Sequence, residues 1–404
     1  MMSREEFLVG ANYWPSRTAM FMWRRFDVAL IKEDFARAAS LNLSLLRIYL
    51  LWEDFQPAPR KVSTLMLDRL VKAAELAADH QLKLTVSLFT GYCSGMVWLP
   101  PWMLLASQAE DNLPVFSADK IRHNRPRNPY EEPELIESQI YFIKELTTAI
   151  AGHPALLFWD LGNQPGIWSR APDESAARIW LQALTETLRE RAKSVAITLS
   201  ISLKDLEENP TVDVLAPASH LDFLAVAGLS SSSPWSGGGP DSALAPFIGA
   251  ITAWLTAKPV LINDFGVSTK PASGNETSLD SDGKGSGIFA VDEEASQFVA
   301  EVLSLAAKIG LAGALWHSWS DYHPSVWDWP PLNLNAAERF SGLVRHDGTS
   351  KPAAISVQNA SREATSGEIC RDWLDITAEE FCRDPKNHLS RLHRRFGKYY
   401  GLRQ

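Results

Sequence analysis

The residues best suited to chemistry stand at the ends of short, apolar, strand-like runs. One run, 156–161, leads into Asn163, Gln164 and a proline, and a second leads into Asp264. A second acidic residue, Asp321, follows a further apolar run. A carboxylate acts as a nucleophile or as a general acid or base, whereas the amide of Gln164 neither gives nor takes a proton at neutral pH. The sequence therefore offers hydrogen bonding at one strand end and nucleophilic or acid–base chemistry at others.

Runs of this kind recur along the chain and alternate with amphipathic stretches, a pattern typical of a parallel sheet. We predict eight strands, at 8–12, 45–50, 82–89, 156–161, 195–201, 223–227, 260–263 and 313–316. Helical periodicity falls between them, for example at 63–79, 134–151, 174–191 and 292–308. Eight βα repeats favour an α/β fold, a closed (β/α)8 TIM barrel whose functional side chains gather at the carboxyl ends of its strands.

Two long insertions and a C-terminal segment lie outside this repeat. Residues 91–132 and 266–290 are expected to form loops over the mouth of the barrel, where barrel enzymes keep their sites. We place a single barrel domain in residues 1–358 and a basic, helical extension in 359–404. The extension is expected to pack on the outside of the barrel, the alternative being a tail that binds an anionic partner.

Composition narrows the possible partners. The formal charge of −9 argues against nucleic acid, whose phosphates need a basic surface, and suits a neutral ligand. No apolar run is long enough to span a membrane, and no apolar signal region is visible at the amino terminus, which predicts a cytoplasmic protein.

Metal and cofactor sites are not expected. The three cysteines lack metal-ligand spacing and are predicted to be free thiols. His317 and His323 have no ligand partners at a useful spacing, so we expect them to make local hydrogen bonds.

Taken together, the strand ends resemble those of the clan A glycoside hydrolases, in particular the cellulase- and mannanase-like family 5 proteins. The resemblance covers about residues 8–355 in the right order. It rests on Gly10-Ala-Asn12-Tyr13-Trp14-Pro15, Leu46-Arg47-Ile48-Tyr49-Leu50-Leu51-Trp52, Asn163-Gln164-Pro165, Lys258-Pro259-Val260-Leu261-Ile262-Asn263-Asp264-Phe265-Gly266 and Gly313-Ala-Leu-Trp316-His317. It implies the barrel fold and an oligosaccharide or glycoside as the ligand.

The resemblance also implies catalytic roles, and both fall on altered residues. Retaining glycosidases use two carboxyl groups about 5–5.5 Å apart, one as acid/base and the other as nucleophile. The resemblance places the acid/base at Gln164, an amide, and the nucleophile at Asp264, which is one methylene shorter than Glu. The sixth strand departs as well, because 226–230 has neither the His nor the Tyr that support substrate and nucleophile in the family.

Retained residues imply sugar binding. Arg47 is expected to orient the nucleophile position through a charge-assisted hydrogen bond. Asn163 is expected to contact the sugar 2-hydroxyl, and Trp316 to form a platform under the sugar ring. Further aromatic residues after the strands are expected to line the cleft, namely Tyr92, Trp14, Trp52 and Trp98.

Three functions follow as alternatives. The first is a glycoside-hydrolase-like protein with a degenerate catalytic pair, Gln164 and Asp264, that binds β-linked glycans with weak or no hydrolysis. The second is an active β-glycosidase or endoglycanase that hydrolyses O-glycosyl bonds, using Asp264 with a non-standard acid such as Asp321. The third is a non-enzymatic interaction scaffold that uses the basic extension for contact.

Overall fold

Eight parallel strands form the core of the fold. The structure is a computed structural model that describes residues 6–108, 113–229, 233, 235, 239–269, 289–364 and 369–402. The strands are β1 (Leu8–Asn12), β2 (Leu45–Leu51), β3 (Lys83–Thr90), β4 (Leu156–Asn163), β5 (Ala196–Ile201), β6 (Leu224–Ala227), β7 (Val260–Phe265) and β8 (Gly313–Trp316). They close in the order β1-β8-β7-β6-β5-β4-β3-β2, with every neighbouring pair parallel. The predicted TIM barrel is therefore confirmed.

Helices follow the strands and cover the barrel. In chain order they are α1 (Val28–Ser40), α2 (Thr64–Asp79), α3 (Pro133–Ile150), α4 (Glu174–Arg191), α5 (Leu203–Glu208), α6 (Leu244–Thr256), α7 (Asp292–Lys308), α8 (Pro352–Asn359), α9 (Ala378–Arg383) and α10 (Pro385–Tyr400), with shorter turns between them. Side-chain caps start several of these helices, such as Asp27 before α1 and Ser63 before α2. The four helices predicted from periodicity match α2, α3, α4 and α7 to within one residue at each end.

The barrel interior changes from apolar to polar toward its mouth. Near the amino-terminal ends of the strands, Leu45, Phe158, Phe223, Leu261 and Leu315 form a buried cluster. Two residues further along β2 and β4 stand Arg47 and Asp160, both buried. Since side chains at i and i+2 of a strand share a face, these two charges also point into the barrel. The apolar cluster is thus the floor on which a buried polar layer and the site are built.

Residues 91–132 are more regular than expected. The sequence predicts a loop here, but the structure has two small sheets. One joins the strands Tyr92–Cys93, Met96–Trp98, Val115–Ser117 and Lys120–Arg122, and the other pairs Leu104–Gln108 with Asn124–Pro126. The burial of Val97, Trp98, Val115 and Phe116 gives the first sheet an apolar face, which explains why it forms. Most of the other predicted loop, residues 270–288, lies outside the described residues.

The C-terminal extension packs on the outside of the barrel, as expected. On α10, Leu389, Leu392 and Phe396 are fully buried. The ring of Phe396 lies 5.6 Å from that of Phe247 in α6. The predicted boundary at residue 358 stays a prediction, since α8 runs across it.

Cys93, Cys370 and Cys382 are free, as predicted. Among the described residues, no helix is both long and apolar enough to cross a membrane.

Candidate functional site

A cavity of about 570 Å³ opens at the carboxyl ends of the barrel strands. Asn163 at the end of β4, Gln164 directly after it, Asp264 in β7 and His317 directly after β8 all line this cavity. The structure therefore brings together residues from three strand ends that are far apart in the sequence. Parallel strands in a barrel make this possible, because all their carboxyl ends meet at one rim.

Gln164 adopts a left-handed backbone conformation, with φ of 50°. Its backbone N–H donates to Ser200 O at 3.1 Å, which ties the end of β4 to β5. A positive φ is uncommon for a residue other than glycine, and such strain concentrates at functional sites. The side-chain amide, on a residue 8% exposed, makes no hydrogen bond with any residue that the structure describes. Its donors and acceptor are thus available to a ligand in the cavity.

Asn163 is held from two sides by the buried polar layer. Its Oδ1 accepts from Arg47 Nη2 at 2.9 Å, and its Nδ2 donates to Tyr92 O at 2.9 Å. Arg47 also donates from Nε to Asp160 at 3.0 Å and from Nη1 to the Tyr49 hydroxyl at 2.9 Å. The amide of Asn163 therefore has a fixed orientation at the cavity wall.

Arg47 does not hydrogen-bond Asp264, contrary to the sequence prediction. Within the described part of the chain, its hydrogen bonds go to Ser87, Asp160, Asn163 and Tyr49. The reason is the shared interior face of β2 and β4, which puts the Asp160 carboxylate directly beside the guanidinium. Arg47 orients Asn163 instead.

Asp264 has one occupied and one free carboxylate oxygen. Its Oδ1 accepts from Asn12 Nδ2 at 3.2 Å and lies 2.7 Å from His317 Nδ1. Its backbone carbonyl accepts from Gly228 N–H at 2.8 Å. Among the described residues, Oδ2 has no hydrogen-bond partner, so it is left for a ligand.

His317 and Glu338 are site residues that the sequence reasoning missed. The Nε2 of His317 lies 3.0 Å from Glu338 Oε2, so the imidazole bridges two carboxylates. Burial disfavours the imidazolium, but Asp264 and Glu338 outweigh it and raise the pKa of His317 well above its usual value. Glu338 is buried too, yet His317 and the Ser94 hydroxyl lower the pKa of its carboxyl. A signal existed for His317, which directly follows a strand end, but none existed for Glu338 in its irregular segment.

Trp316 is not a platform for a sugar in this structure. Its ring packs 5.5 Å from Phe265 and 6.4 Å from Phe298 of α7, and its Nε1 donates to Ser341 O at 2.8 Å. Successive side chains along a strand point to opposite faces. Trp316 therefore faces the helical layer, and His317 takes the side of the cavity.

The other predicted tryptophans are also buried away from the cavity. Trp14 stacks on Tyr49 at 5.4 Å, Trp52 packs on Phe89, and Trp98 packs on Phe116. Each is at most 2% exposed, because these rings fill the spaces between the strands and the inserted sheet. Of the aromatic residues predicted to line a cleft, Tyr92 does line the cavity.

Asp321 does not face Asp264 across the cavity. Its Oδ1 accepts from Lys351 Nζ at 2.6 Å and from Gly342 N–H at 2.9 Å, and it is absent from the cavity wall. The buried ion pair with Lys351 uses this carboxylate for structure. This placement gives no support to Asp321 as an alternative acid, a role that stays a prediction.

Within the described residues, no group of three or more His, Cys, Asp or Glu side chains is arranged to hold a metal ion. His323 makes a local hydrogen bond to Ser325 at 2.8 Å, as expected.

Comparison with known proteins identifies the fold. No family model matches the chain, and no curated protein matches it. Solved structures do match. A GH5_18 protein from Bifidobacterium longum subsp. infantis superposes with a TM-score of 0.70 at 18% identity, over 90% of this chain and 81% of that one.

Two further matches carry ligand or activity in their descriptions. A GH5_18 protein from Streptomyces cattleya, in complex with GlcNAc, has a TM-score of 0.70 at 18% identity and covers 88% of this chain and 80% of that one. An exo-β-1,4-mannosidase from an Opitutaceae bacterium has a TM-score of 0.67 at 22% identity, over 95% of this chain and 60% of that one. The chain is similar to these proteins in architecture and shares their barrel fold.

Proposed function

We propose that this chain binds β-linked oligosaccharides at the mouth of its barrel and hydrolyses them weakly or not at all. The observation that carries the proposal is the side-chain amide of Gln164, which has no hydrogen-bond partner in the described part of the chain and lies in a cavity that it shares with Asn163 and Asp264.

The polar groups of the cavity suit a sugar. The Gln164 amide offers both donors and an acceptor, and Asp264 Oδ2 offers an acceptor. Sugar hydroxyls both donate and accept, so they can satisfy all of these groups at once. Ligand sites of this kind combine a preformed cavity with a few placed polar groups. Because hydrogen bonds already fix the Asn163 side chain, it loses little conformational entropy when a ligand binds.

The same groups are poorly suited to hydrolysis. Proton transfer by a positioned acid contributes roughly 10²–10⁴-fold to the rate, and Gln164 cannot supply it. Glu338 is no substitute, because His317 and Ser94 hold its carboxyl in the ionised form. The shorter side chain of Asp264 adds a second loss, because a misplacement of about 1 Å can cost roughly 10²-fold.

A β-mannoside is the first candidate ligand. The Opitutaceae neighbour is described as an exo-β-1,4-mannosidase, and a variant of the Streptomyces neighbour was solved with Manβ1-4GlcNAc. Both share the barrel whose mouth holds the cavity described above. Gluco-configured oligosaccharides are the comparison that tests the choice.

Isothermal titration with β-1,4-linked manno- and gluco-oligosaccharides tests the proposal. We expect measurable binding of at least one series, lost or weakened in Gln164→Ala and Asn163→Ala. Gln182→Ala is a matched control, because Gln182 is an exposed amide of α4 that pairs with Glu186. Ordinary turnover of an alkyl β-glycoside or of a β-linked oligosaccharide by the wild type would contradict the proposal.

A second candidate function, an active β-glycosidase, is favoured by one observation: the cavity wall holds the carboxyl groups of Glu207, Glu208 and Glu338 besides that of Asp264. This function predicts that hydrolysis disappears in Asp264→Asn. Activity confined to substrates with good leaving groups would indicate a site that lacks its acid, since such groups depart without protonation. Activity on alkyl glycosides would require a donor and would favour the second function over the first.

A further inference from the structure

We propose that His317, held in place by Glu338, is the positioning residue of Asp264 and keeps one oxygen of that carboxylate free for a ligand. The proposal rests on the function proposed above only for the identity of the ligand.

A continuous chain of hydrogen bonds carries the inference. Ser94 Oγ donates to Glu338 Oε1 at 3.0 Å, Glu338 Oε2 lies 3.0 Å from His317 Nε2, and His317 Nδ1 lies 2.7 Å from Asp264 Oδ1. The chain links the segment after β3, the turn Ala337–Phe340, the end of β8 and β7. The side chains of Asp264 and Glu338 are 5% and 7% exposed, so little water competes for these bonds.

The chain fixes the proton state of His317 by its geometry. Each ring nitrogen faces a carboxylate oxygen, and a carboxylate only accepts hydrogen bonds. The imidazole must therefore carry a proton on both nitrogens to satisfy both partners. Its positive charge also offsets the repulsion between two carboxylates that are buried close together.

The sixth strand cannot provide this support. Val226, Ala227 and Gly228 carry no polar side chain, and a Cβ on Gly228 would lie 2.6 Å from Ala245. The eighth strand provides it, and Gly266 makes room. A Cβ on Gly266 would lie 2.8 Å from the Cβ of His317, so any side chain there would push the imidazole away from Asp264.

The consequence concerns the free oxygen of Asp264. His317 and Asn12 both engage Oδ1, which fixes the carboxylate plane and leaves Oδ2 as a preoriented acceptor. Without the imidazolium, only Asn12 holds the Asp264 side chain, so the carboxylate can turn more easily, and Glu338 is left as a buried charge without its cationic partner. The arrangement favours holding a ligand hydroxyl over attacking a sugar carbon, because the positive charge beside Asp264 weakens it as a nucleophile.

Nitrogen-15 NMR of the histidine rings tests this chain of hydrogen bonds without any ligand. We expect His317, assigned by its loss in His317→Gln, to remain doubly protonated at pH values well above 6.5. In Glu338→Gln, the midpoint of the His317 titration should move to lower pH by about one unit or more. Glu207→Gln is the matched control: it removes an acid of the same cavity that bonds Trp235, so it should leave the His317 titration in place. A neutral His317 at neutral pH in the wild type, or an unshifted titration in Glu338→Gln, overturns the proposal.

Binding and crystallography test the positioning role. Loss of a hydrogen bond to a charged group corresponds to about tenfold or more in affinity, so Glu338→Gln and Gly266→Ala should weaken oligosaccharide binding by that factor. His323→Ala, a local hydrogen-bonding histidine, should not. Unchanged affinity in Glu338→Gln overturns the role.

If the wild type binds no oligosaccharide, the proposed function fails, and crystal structures then decide the positioning role. An Asp264 that turns in Glu338→Gln supports it, and an unmoved Asp264 overturns it.

Discussion

Arg47 and Asp160 form an ion pair inside the barrel in which each side chain is only 1% exposed. The pair stands two residues above the apolar floor on β2 and β4, and Ser87 contributes a further hydrogen bond to Asp160. Removing charges from water is costly, and the cost is met only when all their hydrogen bonds are satisfied. Through Arg47 Nη2 the same pair fixes Asn163, which links the stability of the barrel to the geometry of the cavity.

Replacing Arg47 with Met should strongly destabilise the fold. The change leaves the Asp160 carboxylate buried without its partner, and breaking a buried pair in this way costs about 3–5 kcal/mol. The measurement is the free energy of unfolding in urea. Arg60→Met is the control, because Arg60 pairs with Glu137 at the surface with 78% exposure, where such pairs contribute about 0–1 kcal/mol. Equal losses in the two variants would contradict the assigned role of the buried pair.

The strands were predictable because their apolar runs are buried on both faces and differ clearly from the helical periodicity around them. The ends of the runs located Asn163, Gln164 and Asp264 for the same reason. The direction of the side chains was harder to predict. Neighbouring residues of a strand point to opposite faces, so a shift of one residue decides whether Trp316 or His317 faces the cavity. Glu338 lies in a short 3-10 helix outside the βα repeat, and its contact with His317 depends on tertiary packing alone.

Restoring both carboxyl positions tests how far the site has departed from a catalytic one. In Gln164→Glu/Asp264→Glu, we expect hydrolysis of an alkyl β-mannoside, whose leaving group needs a proton, to rise by roughly 10²-fold or more over the wild type, because proton transfer becomes available. The measurement is kcat/KM, compared with the two single variants. Gln164→Ala combined with Asp264→Glu is the control, since it has the longer carboxylate but no acid. A double variant as inactive as this control would show that other parts of the site also prevent catalysis.

The C-terminal extension should matter for stability and not for ligand binding. Phe396 is fully buried against Phe247 and Trp373, with ring centroids 5.6 and 5.1 Å apart, respectively. Phe396→Ala should therefore cost about 3–5 kcal/mol in urea unfolding. Ile179→Ala is the control, because Ile179 is 58% exposed on α4. If folded Phe396→Ala keeps its affinity for oligosaccharides, the extension serves stability. The interaction scaffold instead predicts that binding of a partner protein is lost when the extension is disturbed.

Asp213 should make the protein less stable as the pH rises toward neutrality. Burial, and then the neighbouring Asp205, raise the pKa of Asp213 from 3.8 to about 7. Between these values the folded chain keeps a proton that the unfolded chain has lost, so the free energy of unfolding falls as the pH increases. Asp213→Asn removes this titration and should flatten the dependence of Tm on pH over the same range. Asp68→Asn, at an exposed position of α2, is the control and should follow the wild-type curve. A wild-type slope that persists unchanged in Asp213→Asn would assign the pH dependence to other buried acids, such as Asp34, whose pKa burial raises to about 6.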